Sequence, residues 1–112
     1  DRSLLDGEFD ELFLRPIHED PSRRAAALQL LDSFDERYVR ELRSLHARIE
    51  VPVQLVWGEH DPFFPAAWAE AMVDTFPDAQ VEVIAGTRLF CHEERPAEVA
   101  GALLPTLVGA RA

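Results

Sequence analysis

Apolar positions along the chain follow two patterns. One recurs every three to four residues, and the other is a short, nearly unbroken run. The first dominates residues 1–50. Leu4, Leu5, Phe9, Leu12 and Phe13 are spaced for one face of a short helix. Arg15-Pro16 is expected to end it, because proline disfavours helical backbone at the residue before it. Pro21-Ser22 opens a second predicted helix reaching about Leu31, filled with the helix formers Ala25, Ala26, Ala27, Leu28, Leu30 and Leu31. Ser33-Phe34-Asp35-Glu36 fits a capping box, so a third helix is expected there. Tyr38/Val39, Leu42, Leu45 and Ile49 give it an apolar stripe. Glu36, Arg37, Arg40, Glu41, Arg43 and Arg48 form its solvated face.

The second pattern begins at Val53. Val53, Leu55, Val56 and Trp57 are interrupted only by Gln54, which suits a strand covered on both faces, as in a parallel sheet. Gly58 stops the strand, and Glu59-His60-Asp61 turn the chain before Pro62 and Pro65 stiffen the exit. A helix over 65–76 is predicted next, with Trp68/Ala69, Met72/Val73 and Phe76 as its core stripe. Val81, Val83 and Ile84 form a second strand, so the segment reads as a parallel βαβ unit with a right-handed crossover. A loop over 86–94 follows. Pro96 opens the last helix, with Val99, Leu103 and Leu107 inward and Pro105 expected to kink or shorten it. The fold class is therefore α/β, with a helical segment over 1–50 and a β-α-β-α segment over 51–112. Asp61 falls at the carboxyl end of a parallel strand, where open α/β sheets collect ligands.

Composition narrows the partners. The 112 residues are 47% hydrophobic and 29% charged, in the range of a globular domain. A formal net charge of −10 argues against nucleic acid and anionic membrane as partners. No apolar run approaches a bilayer span, and no amino-terminal signal pattern is visible. The single cysteine, Cys91, excludes an internal disulfide and fits a reducing, cytoplasmic setting. His18 reads as a solvated loop residue and His46 as a structural one. The chain opens on Asp-Arg-Ser without a methionine, which suggests a piece cut from something longer.

Val51-Pro-Val-Gln-Leu-Val-Trp-Gly-Glu-His-Asp-Pro-Phe-Phe-Pro65, with Val81-Glu-Val-Ile-Ala-Gly86 and His92-Glu-Glu-Arg-Pro96, resembles the α/β-hydrolase fold. The similar branch is the one containing epoxide hydrolases and haloalkane-dehalogenase-like enzymes. The resemblance implies the carboxyl-terminal part of that fold, preceded by a remnant of a helical cap. It implies hydrolysis of a small apolar ester, epoxide or alkyl halide, with no metal or organic cofactor. It places Asp61 at the acid that orients the catalytic histidine. The family's order is nucleophile, acid, histidine. No G-x-S-x-G or G-x-D-x-G is present, and Ser3, Ser22, Ser33 and Ser44 lie in helical or capping contexts. The nucleophile elbow and its oxyanion hole are therefore expected in a missing amino-terminal portion.

The histidine departs from the family pattern. Aligned between Gly86 and His92-Glu-Glu-Arg-Pro96, its position falls on Leu89, which has no proton to give or accept. His92 matches a second, usually non-catalytic histidine. Three readings stay open: the activity is lost and the pocket binds a small molecule or partner; His92 serves as base beside Asp61; or Leu89 reflects an altered sequence. Asp61 and His92 are the candidate catalytic residues, and Phe63, Phe64 and Phe90 are candidates for an apolar pocket. The expected partners are a small apolar substrate or ligand and, at the open edges of a two-stranded sheet, another copy or the missing portion.

Overall fold

The computed structural model describes residues 5–109, the side chain of Tyr38 excepted. The expectations for Ser3, Leu4 and the Tyr38 side chain lie outside the described residues. Backbone contacts divide the chain into two units, 1–40 and 41–112, with the boundary inside the helix Glu36–His46.

The first unit is helical. A π-helical segment, Asp10–Leu14, runs directly into α1, Arg15–Glu19, and α2 covers Pro21–Asp32. The predicted stop at Arg15-Pro16 does not occur. The wider π turn, closed by the Arg15 N–H donating to Asp10 O, makes room for the Pro16 ring where the helix register changes. Arg15 also grips the Asp10 carboxylate through Nε at 3.2 Å and Nη2 at 2.8 Å. α2 starts where its sequence predicts, because Asp20 Oδ1 accepts from the amides of Ser22 and Arg23. None of these helices buries a residue. The apolar residues of α2 do not share one face, and Leu28, Leu30 and Leu31 stay exposed.

α3, Glu36–His46, forms as expected but with a different cap. The Arg37 N–H donates to Asp35 Oδ1 at 2.8 Å, while Ser33 Oγ turns back to Leu30 O at 2.7 Å. Asp35 therefore displaces the predicted Ser33 box, since its carboxylate already stands opposite the free amides of the first turn. Val39, Leu42 and Leu45 are 43–48% exposed, so the predicted apolar stripe lies at the surface. Ile49 lies beyond the helix end.

The second unit holds the sheet. β1, Val53–Gly58, pairs in parallel with β2, Ala79–Ile84, in the register Val53↔Ala79 through Gly58↔Ile84. α4, Ala66–Val73, joins them and packs against both strands. α5, Cys91–Glu94, is a single turn inside the segment read as a loop, and α6, Pro96–Gly109, closes the chain. Alternation along the strands puts Val56 and Ile84 on one face, where they meet Val99, Leu103 and Cys91. Among the described residues, Ala69, Ile84, Cys91, Val99 and Ala102 are the buried apolar ones.

Three expectations for these helices are corrected. Trp68 is 59% exposed, because Ala69 rather than Trp68 takes the place against the sheet. α4 ends at Val73, three residues early, where Thr75 bonds Met72 O through both its amide and Oγ1. α6 continues through Pro105 to Gly109, and Leu107 points to solvent. His46 is structural as expected: Nδ1 lies 2.9 Å from Thr75 Oγ1, and its ring stacks on Phe76 at 4.2 Å. Mixed helices and a parallel strand pair make the architecture α/β. No helix among the described residues is long and apolar enough to cross a membrane.

Candidate functional site

The site is built where the carboxyl ends of both strands meet the loop that follows β2. Gly58 ends β1 directly beneath Arg88: a Cβ built there would lie 1.9 Å from Arg88 O. Only glycine permits that approach. Three backbone and side-chain bonds then fasten the two loops together. The Glu59 N–H donates to Ile84 O at 3.2 Å, and the His60 N–H donates to Thr87 O at 2.8 Å. Glu59 Oε2 accepts from the Gly86 N–H at 2.8 Å. Gly86 sits at φ 70°, the left-handed region that glycine adopts without strain. Thr87, fully buried, closes its own turn by donating Oγ1–H to Ile84 O at 2.8 Å. From the far side, Glu94 Oε1 accepts from the Arg88 N–H at 3.2 Å.

Within this frame Asp61 is half-buried and fixed. Its Oδ1 accepts from the Phe63 N–H at 2.8 Å and the Phe64 N–H at 3.0 Å, an Asx turn that the polar residue before Pro62 makes possible. The Phe64 carbonyl in turn accepts from Trp57 Nε1–H at 2.7 Å, which pins the indole. Asp61 Oδ2 accepts no hydrogen bond from the described residues. One oxygen therefore holds the turn and the other remains available for a donor.

Trp57, Asp61, Phe64, Leu89, Cys91 and His92, with Val56 and Gly58, line a cleft of about 170 Å³. The structure thus brings Asp61, Leu89 and His92 to one place. It does not join Asp61 to His92 by a hydrogen bond. The His92 side chain is 58% exposed; its Nε2 lies 3.9 Å from Glu93 Oε1, and its ring stands edge-on to Phe90. Of the three candidate pocket phenylalanines, only Phe64 reaches the cleft, and Phe63 is 66% exposed.

Cys91 is the wall residue that sequence reasoning missed. Its place directly before His92 is the signal in the sequence that points to it. Burial pushes its thiol above the ordinary value, and the negative charges of Glu94 and Asp61 add to the rise against opposing backbone amides. Such a thiol is a neutral wall, not an activated nucleophile.

A larger groove of about 440 Å³ lies at the amino ends of the strands, bordered by Gln54, Gln80, Glu82 and Thr106. It has no fixed carboxylate and sits at the opposite end from the one where α/β sheets bind ligands. Among the described residues no cluster of histidine, cysteine and acidic side chains has the arrangement of a metal site. The Asp61 cleft offers a rigid carboxylate acceptor in apolar surroundings. It offers no hydroxyl or activated thiol to attack an electrophile. No family model matches the chain, and neither a curated protein nor a solved structure matches it.

Proposed function

We propose that this chain supplies the acid-bearing wall of an α/β-hydrolase-like pocket for a small, largely apolar ester, epoxide or alkyl halide. The observation that supports the reading is the fixed Asp61 carboxylate at the carboxyl end of β1, sharing one cleft with Leu89 and His92. In this role Asp61 Oδ2 receives a ring N–H and holds an imidazole in the right tautomer. Leu89 cannot provide that imidazole, and His92 is not bonded to Asp61. The chain alone therefore binds and does not turn over.

The test is a titration of the isotope-labelled chain with a short neutral ester, an epoxide and a haloalkane, alongside a hydrolysis assay. The expected result is weak, saturable NMR shifts at Trp57, Phe64 and Leu89, with hydrolysis no faster than in buffer. A panel in which no member perturbs these residues refutes the pocket. Turnover abolished by Asp61→Ala refutes the claim that the chain alone is inactive.

The non-catalytic reading is favoured by one feature. Leu89 puts an apolar side chain beside the Asp61 carboxylate, at the place where proton transfer would need an imidazole.

A further inference from the structure

We infer that the Asp61 cleft is a binding site for a small organic ammonium ion, a primary or secondary amine carrying a short apolar body. This goes beyond hydrolysis, since it needs neither a nucleophile nor a histidine. Three observations support it. The first is the geometry of the carboxylate. Asp61 Oδ1 is occupied by two backbone amides and Oδ2 accepts nothing among the described residues. A half-buried carboxylate with one oxygen not engaged by the protein can take a further donor, and a charged N–H is the partner that gains most there.

The second is charge. No arginine lines the cleft, and Asp61 is its one carboxylate. The single basic group on the rim, His92, leans toward Glu93 and is largely in solvent. The chain as a whole carries −10, which draws cations toward it.

The third is the apolar wall. Trp57 and Phe64 both line the cleft, and the indole N–H donates to the Phe64 backbone carbonyl, which ties Trp57 to the turn that holds Asp61. Carboxylate plus aromatic side chains is the combination that recognises ammonium groups, through charge-assisted hydrogen bonding and cation–π attraction. Leu89 and Cys91 complete a surface for a short alkyl chain. The cleft volume of about 170 Å³ admits only a small ligand.

The test uses the whole chain and n-butylammonium, compared with n-butanol and butanoate of matching size. Binding is read from amide and indole NMR shifts at neutral pH. Butylammonium is expected to give saturable shifts at the Trp57 indole and at residues 61–64 and 89. It should bind about tenfold more tightly than butanol, with butanoate weakest. Asp61→Asn keeps a carbonyl for the Phe63 and Phe64 amides but removes the charge, and it should reduce butylammonium to the level of butanol. Equal binding of the amine and the alcohol overturns the inference, as does an Asp61→Asn variant with undiminished amine affinity. If Asp61→Asn disturbs the fold, Leu89→Arg decides: a tethered cation in the cleft should abolish amine binding, and retention at native strength refutes the site. These outcomes are separate from those of the neutral ester, epoxide and halide panel.

Discussion

Replacing Gly58 by alanine is the sharpest test of how the site is held. The added methyl would lie 1.9 Å from Arg88 O and 2.8 Å from Arg88 C, both backbone atoms that cannot swing aside. The loop carrying Arg88 and Leu89 must therefore lift. Overfilling a packed position costs about 1–3 kcal/mol. Lifting the loop also breaks the 2.8 Å bond from the His60 N–H to Thr87 O, worth about 1 kcal/mol net. The expected destabilisation is about 2–4 kcal/mol, a large share of the total for a small domain. At about 4–8 °C per kcal/mol, Tm should fall by about 10–30 °C. Gly101, inside α6, is the matched control, because a Cβ there meets nothing within 4 Å. Gly101→Ala should be neutral or stabilising by up to about 1 kcal/mol, through helix propensity. Urea unfolding of both variants, with hydrogen exchange at His60, measures the difference. Equal stability of Gly58→Ala and Gly101→Ala, with His60 still protected, would show that Gly58 is not the reason the loops meet.

Four further outcomes are expected. Leu89→His should place an imidazole whose pKa lies above the ordinary 6.5 or so, because Asp61 favours its charged form, and the rise should vanish in the Asp61→Asn background; an ordinary titration beside intact Asp61 argues against the pairing. Cys91 has a folded-state pKa raised by burial, so its contribution to stability is complete below the ordinary thiol range and is lost as pH rises above about 8.5; Cys91→Ser should flatten that alkaline decline in urea midpoints, and an unchanged slope would contradict it. Asp20 and Asp35 are held below the ordinary carboxylate range, Asp20 chiefly by the Ser22 side-chain hydrogen bond and Asp35 by that of Arg37, so their support for α2 and α3 is present above that range and lost as pH falls through their lowered folded-state values; circular dichroism should show the helices fraying in acid, and less further loss in the double alanine variant. Exposed Leu30, Leu31, Phe34, Leu42 and Trp68 make concentration-dependent association the expected solution behaviour, checked by light scattering, and a strict monomer with one sharp thermal transition would oppose it.

The sequence alone determined the elements whose cause is local. β1 and β2 follow from short apolar runs, α2 and α6 from proline at their first turns, and the Asp61 turn from an acidic residue followed by Pro62. Local rules also placed Asp61, Leu89 and His92 near one strand end, because a parallel pair brings both following loops to the same edge. The remaining features were decided only by the folded chain. Asp35 rather than Ser33 caps α3 because only the folded turn shows which oxygen faces the free amides. The helix passes Pro16 because a π turn absorbs the ring. The α3 stripe and Trp68 stay exposed because periodicity marks which face is apolar, and only packing decides whether anything covers it. The space that Gly58 leaves for Arg88, the burial of Thr87 and the place of Cys91 in the cleft all arise from the pairing of Gly58 with Ile84. That register is set by side chains meeting across the sheet, and no spacing within either strand encodes it.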